Sequence, residues 1–412
     1  MCLLLLTVLA MATPFDPWFS VYGWGDLSEA AEKIASGSLS RQVALITLGV
    51  FAIVSLLRGS QKQVRINGLL GYMVTFFLFL SALSIIISDN YLFTAKRVIV
   101  LLTLSLGALA IATRMTLHGI ITMAFCAGIF SLVSGFLCEV VLGTFSPFEN
   151  VYRFTGVLDP NFQASNCSML LIASVASTRM AKRIQTKFFY LAIAMLAFAF
   201  LILTKSRTGM VGATVGLVIY SGLVSPRKTA ICVVVLLNLC CALYLFADDA
   251  LNSFGNRLLT LDRADIDDIG QNLTTFTGRT ELWETAIFPN IKKHLIFGYG
   301  YDSFWSANRV ATQGKYELGS SHNGYLHLLL GLGLTGLSTY VLIRILGIIA
   351  WFRLFKRSGN FEYAFAVASL ISFSLIIGSL DVQLSPHLAT FIDMTLLARI
   401  ALIVRPAPNE QF

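Results

Sequence analysis

The sequence predicts an all-α polytopic membrane protein with about twelve transmembrane helices and one large external loop. Hydrophobic residues make up 56% of the 412-residue chain and charged residues only 13%, whereas soluble domains carry about 25% charged residues. Apolar segments near the length of a bilayer-spanning helix, about 20 residues, recur along most of the chain. One long polar stretch, residues 248–321, interrupts them. The composition therefore excludes an ordinary soluble domain.

Twelve apolar segments can be delimited, at 3–13, 42–57, 66–88, 97–113, 118–142, 162–178, 187–204, 209–224, 229–247, 323–350, 361–379 and 386–404. The first is short for a span, and it lacks the leading Lys or Arg of a signal peptide. The predicted organisation is therefore nine helices within 1–247, a large periplasmic loop at 248–321, and three further helices within 322–412.

The distribution of basic residues predicts the orientation. The net charge is +8, but the basic residues recur in short clusters between apolar segments, which does not indicate nucleic acid binding. The richest clusters lie at 58–65, 179–187, 227–228 and 353–357. Cytoplasmic loops carry the excess of Lys and Arg, so these clusters and both termini are placed in the cytoplasm. The long loop then lies outside, together with Arg153, Lys205 and Arg207.

Basic residues on the outer face oppose the usual bias, and binding an anion would explain them. Arg207 lies in LTKSRTG, a tight turn between two spans, where it meets the free amide groups of the following helix. Amides and a guanidinium together form an anion site. Arg153 lies in YRFTGVLDPN on the same face, where we expect Asp159 to have a structural role, either as a cap of the helix that begins near Asn161 or as the partner of an arginine. An arginine that only contacts lipid headgroups is the alternative.

The long loop has two parts. Residues 248–275 are polar and rich in Asp. From Thr277 or Gly278 an amphipathic helix is predicted, because apolar residues recur at helical spacing, and Pro289 is expected to interrupt or kink it. Arg279 begins this helix, and a turn at Gly298 and Gly300 follows. The aromatic residues Phe304 and Trp305 then predict a part that rests on the membrane interface.

His322 lies in SSHNGYLHLLL, where the loop enters a span. A lone histidine is more often structural, but a neutral imidazole at this partly desolvated boundary can accept a proton near pH 7. His327 follows five residues later, about 140° around a helix, so the two histidines form a poor metal clamp. No carboxylate cluster completes a site, and we therefore predict no metal.

Two patterns inside the spans need a separate interpretation. Gly331, Gly333 and Gly336 match GxGxxG, but no strand precedes them, so a dinucleotide fingerprint is excluded. Asp393 and Arg399 are charged residues within the last span, and they could form an intramembrane pair.

Several segments together resemble a known family. SRTG after a span, GRTELWETA with a downstream FGYGYDSF, and HNGYLHLLLGLGLTG before a late span resemble the O-antigen ligase and Wzy-type polymerase superfamily of bacterial cell envelopes. RFTGVLDPN also resembles an external loop of that family, and the resemblance covers roughly Arg153 to Gly336. It implies an inverting, metal-independent, GT-C-like glycosyltransferase that needs no cofactor. It also implies a multi-pass protein of the inner membrane that acts at the periplasmic face.

Carried over by motif, the resemblance implies that Arg207 and Arg279 bind the diphosphate of an undecaprenyl-diphosphate-linked glycan, with Arg153 as a third guanidinium. It implies that His322 acts at the acceptor. Ser206, Asn161 and Asn323 are the expected supporting residues. His327 stands where family members often carry an acidic residue, a departure that concerns acceptor handling.

Three functions remain open from the sequence. A ligase would transfer the glycan to lipid A core, and a polymerase would transfer it to a second lipid-linked glycan. Both use the same residues. A transporter or flippase also fits twelve helices, but transporters usually place their charged residues and broken helices near the bilayer midplane, whereas the notable charges here are predicted at one surface.

Overall fold

The structure, a computed structural model, describes residues 39–58, 64–149, 152–227, 279–306, 321–378 and 387–402. Every regular element within these ranges is helical. The helices are α1 (Leu39–Leu57), α2 (Gly68–Ile87), α3 (Tyr91–Arg114), α4 (Leu117–Leu142), α5 (Pro160–Met180), α6 (Ile184–Leu203), α7 (Arg207–Val224), α8 (Arg279–Leu282), a π-helix (Trp283–Ile287), α9 (Phe288–Lys293), α10 (Gly324–Ser358), α11 (Phe361–Ile377) and α12 (Leu388–Leu402).

Six of the described helices are long and apolar enough to cross a membrane, namely α2, α3, α4, α6, α7 and α10. Helices α1 and α11 are apolar but shorter. The predicted all-helical membrane fold is therefore confirmed. The predicted spans at 3–13 and 229–247 and the acidic part of the loop lie outside the described residues, so the total of twelve spans stays a prediction.

Helix α5 lies at the centre of the bundle, where it contacts α4, α6, α7, α11 and α12. It is less apolar than its neighbours because it contains several small polar residues. Their small side chains let the neighbouring helices approach closely. Ser168, Ser174 and Ser177 are buried, and each hydroxyl donates to the carbonyl four residues earlier. This back-bonding satisfies the hydroxyls within the helix, and the hydroxyl of Ser168 also donates to the carbonyl of Gly209 in α7 (3.1 Å). A central helix of a membrane bundle can therefore be only weakly hydrophobic.

The alternating helices give the bundle two ends. The turns at 88–90 and 204–206, the segments 143–149 and 152–159, and residues 321–323 lie at one end, which we call the site end. The turns at 115–116, 181–183 and 359–360 lie at the other. The basic residues that predicted the cytoplasmic face lie at this second end wherever the structure describes them: Arg58, Arg65, Arg114, Arg179, Lys182, Arg183, Lys187, Arg227, Arg353, Lys356 and Arg357.

The charged residues of the last span do not pair with each other. Asp393 forms a buried ion pair with Arg344 of α10. Arg399 donates instead to the carbonyls of Ala112 and Met115, at the end of α3. Six residues separate Asp393 from Arg399, which places them about 120° apart around a helix. The suggested Asp393–Arg399 pair is therefore wrong.

Candidate functional site

Helix α10 is broken near its start. Gly333 has φ 64° and ψ −164°, which no helix accommodates. Residues 324–332, which we call the half-helix, precede the break. The remaining 25 residues, 334–358, extend about 37 Å at 1.5 Å per residue, enough to cross a bilayer alone. The break therefore lies nearer the site end than the middle of α10.

A segment of the long loop fills this break. The backbone N–H of Leu334 donates to Leu295 (2.8 Å), and that of Tyr299 donates to Leu330 (2.9 Å). A Cβ at Gly333 would lie 2.3 Å from the carbonyl of Ile296, so only glycine permits the approach. The glycine pattern that resembled a dinucleotide fingerprint thus has another cause, the insertion of one backbone into a broken helix.

The half-helix carries His322 and Asn323 at its N-terminal end. Asn323 caps the helix, because its Oδ1 accepts the N–H groups of Tyr325 (3.0 Å) and Leu326 (3.2 Å). His322 is half-buried and has a left-handed backbone, with φ 48°. Its carbonyl accepts a hydrogen bond from Nη1 of Arg279 at 3.3 Å. The structure therefore brings Arg279 and His322 together.

The amphipathic helix predicted from Thr277 is observed over its described part, which begins at Arg279. Trp283 anchors this helix to the half-helix, since its Nε1 donates to the carbonyl of Ser321 (2.9 Å). The π-helical turn at Trp283–Ile287 lies just before Pro289. Proline has no N–H to donate to the preceding turn, which accounts for the local widening.

The aromatic residues after the turn do not rest on a membrane interface. Phe304 is 1% and Trp305 5% exposed, and both are buried in an apolar cluster. The cluster joins the amphipathic helix to the half-helix, and its buried members are Leu282, Ala286, Ile287, Ile291, Tyr299, Phe304, Trp305 and Leu330. Phe304 and Trp305 therefore do not anchor the loop at a membrane interface, because the loop folds onto the half-helix and covers these side chains itself.

The other four predicted site residues lie together at the start of α7. Ser206 is the N-cap of that helix, accepting from the N–H of Gly209, and its hydroxyl donates to Oδ1 of Asn161 (3.0 Å). Arg207 is the first residue of α7. Arg153 joins this group, because its Nε donates to the carbonyl of Thr204 (3.0 Å).

The loop between α4 and α5 has the capping arrangement that the sequence predicts. Asp159 is the N-cap of α5, and its Oδ1 accepts the N–H of Asn161 at 2.8 Å. The structural role expected for Asp159 is thus observed.

The C-terminal turns of α11 stand between the two groups of predicted residues. On one side, a Cβ at Gly212 of α7 would lie 2.4 Å from Cγ1 of Ile376. On the other side, the hydroxyl of Tyr325 in the half-helix donates to the carbonyl of Ser374 (2.8 Å). Packed helices lie about 8–10 Å apart. The Arg153–Arg207 group and the Arg279–His322 group therefore flank one helix end at the same end of the bundle.

Sequence analysis missed a buried polar network beside this site. Nε2 of His327 lies 2.7 Å from Oδ1 of Asp302, and Nε of Arg97 on α3 lies 3.4 Å from Oδ2 of the same carboxylate. His327 and Asp302 are both mostly buried. The network ties the inserted loop segment, the half-helix and α3 together. Asp302 lies in the quoted FGYGYDSF, but its pairing depends on an insertion that local spacing does not reveal.

Metal ligation has little support within the described ranges. They contain no group of three or more His, Cys, Asp or Glu side chains arranged to hold an ion. Metal independence remains a prediction.

A comparison with protein families finds a match in the region that contains most of the predicted site residues. Residues 192–341 match the family model described as O-antigen ligase. No curated protein matches the chain significantly. The matched region runs from α6 into α10 and contains Ser206, Arg207, Arg279, His322 and Asn323, while Arg153 and Asn161 precede it. The protein is thus a multi-pass membrane protein that carries an O-antigen ligase family domain at residues 192–341, which confirms the resemblance to the O-antigen ligase and Wzy-type superfamily.

Proposed function

We propose that the protein is an inverting glycosyltransferase of the O-antigen ligase type. It moves a glycan from undecaprenyl diphosphate to an acceptor hydroxyl at the periplasmic face of the inner membrane. The observation that carries the proposal is the contact of Arg279 with the backbone of His322, at the start of the half-helix and inside the matched domain.

The donor chemistry calls for positive charge more than for an acid. When the bond from sugar C1 to the bridging oxygen breaks, the electron pair stays on that oxygen, and the diphosphate leaves as an anion. Preorganised guanidiniums stabilise the growing charge. Arg207 is the first residue of α7, where its charge adds to the positive end of the helix dipole. Arg153 lies beside it, and Arg279 approaches from the other side of α11.

The acceptor chemistry calls for a base. The acceptor oxygen bonds to C1 on the face opposite the departing diphosphate, and its proton must leave as it attacks. The half-buried imidazole of His322 takes that proton in this proposal. A positioned base of this kind contributes ~10²- to 10⁴-fold in rate. The Asn323 cap and the contact with Arg279 support a fixed position for the residue.

The sidedness rests on charge distribution. The described basic clusters lie at the end opposite the site, and cytoplasmic ends carry the excess of Lys and Arg. This supports a site that faces the periplasm. The polyprenyl tail of the donor would lie among the lipid-facing helices.

A transporter is the function that the broken helix would favour. Transporters build midplane sites from interrupted helices, but residues 334–358 of α10 are long enough to cross the bilayer beyond the break. The break is also filled by the backbone of residues 295–300. A glycan transferase therefore accounts for the break better, as the means of holding the loop and the half-helix together.

The test is glycan transfer by the purified protein in lipid nanodiscs. We expect release of undecaprenyl diphosphate and transfer of glycan when lipid-linked repeats and lipid A core are both supplied. Chain lengthening with lipid-linked repeats alone would instead identify a polymerase. The absence of transfer to either acceptor by folded protein would overturn the glycosyltransferase assignment.

A further inference from the structure

The last turn of α4 places a buried carboxylate beneath the segment that carries Arg153. Glu139 is 1% exposed. Its Oε1 accepts the N–H of Thr155 (2.8 Å), the hydroxyl of Thr155 (3.0 Å) and the N–H of Gly156 (2.7 Å). Its Oε2 accepts the hydroxyl of Tyr152. Four hydrogen bonds from the residues that flank Arg153 thus converge on one side chain.

This arrangement fixes the segment strongly. A buried carboxylate is costly unless it is hydrogen-bonded, and bonds to a charged group are stronger than neutral ones. Any displacement of residues 152–156 would leave the charge of Glu139 without donors. Burial and the neighbouring carboxylate also raise the pKa of Tyr152, so this hydroxyl keeps its proton and remains a donor.

The opposite side of the segment is held as well. The N–H of Phe154 donates to Leu203 (2.8 Å), and Arg153 Nε donates to Thr204 (3.0 Å). Gly156 packs so closely on α4 that a Cβ would lie 3.0 Å from Cα of Gly135. The segment is therefore clamped between the ends of α4 and α6, beside the start of α7.

We propose that Glu139 is a positioning residue that orients the guanidinium of Arg153 toward the diphosphate of the donor. The inference rests on the proposed function, in which Arg153 binds that diphosphate. Glu139 itself does not touch the substrate. It acts by removing the alternative positions of the Arg153 backbone, so that the guanidinium is already placed when the donor arrives.

The test compares Glu139→Gln with Glu149→Gln, which changes an exposed carboxylate in the same connection between α4 and α5. Glutamine keeps the shape of Glu139 but loses the charge. We expect the KM for the lipid-linked donor to rise roughly tenfold or more, with an unchanged KM for the acceptor and wild-type values for Glu149→Gln. An effect on the amount of folded protein alone, with an unchanged donor KM, would overturn the inference.

The Arg153→Ala background separates positioning from general stability. If Glu139 acts through Arg153, Glu139→Gln should add no further rise in donor KM when Arg153 is already removed. Independent, multiplying effects would contradict this. Wild-type kinetics for Arg153→Ala would remove Arg153 from the proposed function and the role of Glu139 with it. A weakened Arg153→Ala enzyme beside a normal Glu139→Gln enzyme would overturn the positioning role alone.

A milder variant covers the case in which Glu139→Gln fails to fold. Tyr152→Phe removes one of the four hydrogen bonds and keeps the carboxylate. We expect a smaller rise in donor KM than for Glu139→Gln, again without a change in acceptor KM. An unchanged donor KM for folded Tyr152→Phe would count against the inference.

Discussion

Arg279 and His322 are separated by 43 positions in the chain, yet one hydrogen bond joins them. The guanidinium donates to a backbone carbonyl, so the contact does not depend on the protonation of the imidazole. Arg279 can therefore fix the backbone of His322 and still present donors elsewhere. The planar guanidinium has five N–H donors and can bind the carbonyl and a phosphate at the same time. The ammonium of lysine lacks this planar arrangement of donors.

We expect Arg279→Lys to lose most of the activity even though the charge is kept. Lysine cannot bind the carbonyl and a phosphate in the same planar geometry. The loss of one charged hydrogen bond predicts a fall in kcat/KM for the donor of roughly tenfold or more. The measurement is steady-state transfer at varied donor concentration. Lys293→Arg, a change at an exposed residue of the same loop, is the control, and full activity of Arg279→Lys would contradict the assigned role.

The contacts among Arg97, Asp302 and His327 cannot be predicted from any one of these residues alone. In the sequence His327 stands out only as a departure from the family pattern, and no motif points to Arg97 as its neighbour. Their common partner Asp302 lies 25 residues before His327. Only the inserted loop segment brings the three together, so no periodicity in the sequence reveals them.

At the scale of elements, the break in α10 is the feature on which the site depends. It turns one long helix into a half-helix that presents His322 and a second part that crosses the membrane. We expect Gly333→Ala to destabilise the protein severely, since its Cβ would overlap the backbone of Ile296 and alanine disfavours a φ of 64°. Strain of this type costs about 1–3 kcal/mol before the overlap is added.

The matched control is Gly222→Ala in α7, where a Cβ would meet nothing within 4 Å. Alanine there should be neutral or slightly stabilising, by about 0.5–1 kcal/mol. Thermal unfolding in detergent, followed by size-exclusion chromatography, measures both variants. Equal melting temperatures for Gly333→Ala and the wild type would show that the inserted segment is not held as described.

Helix identity and approximate bounds were predictable, because long apolar runs have few alternatives to the helix in a bilayer. The cap at Asp159 followed from local chemistry, whereas Ser206 and Asn323 were expected only as supporting residues and the structure shows that they cap helices. The break at Gly333 was not predictable, because a glycine inside an apolar run is common in membrane helices. For the site, the order of the motifs predicts which residues belong to it. The burial of Glu139 and the pairing of Asp302 with His327 and Arg97 could not be predicted, because both depend on contacts between segments that are distant in the sequence.

At the scale of the whole molecule, the two ends of the bundle differ in charge and in chemistry. The proposal requires the site end to face the periplasm. In a variant without its seven native cysteines, we expect Glu149→Cys, at the site end, to react with a membrane-impermeant maleimide in cells with a permeabilised outer membrane. Ser358→Cys, at the opposite end of α10, should react only after lysis. The reverse labelling pattern would contradict the proposed orientation.

In the proposed mechanism the lipid-borne donor lies against three guanidiniums, with Arg153 and Arg207 on one side of the end of α11 and Arg279 on the other. The acceptor lies beside the imidazole of His322, which removes its proton and does not bind the diphosphate. Loss of the imidazole should slow the chemical step and leave the donor bound.

The most direct test is the single-turnover transfer rate of His322→Ala at saturating donor, with donor affinity measured in parallel. The account predicts a rate ~10²- to 10⁴-fold below the wild type, with unchanged donor affinity. His294→Ala, which removes an exposed imidazole from the same loop, should behave as the wild type. Transfer at the wild-type rate by folded His322→Ala protein would contradict the central claim.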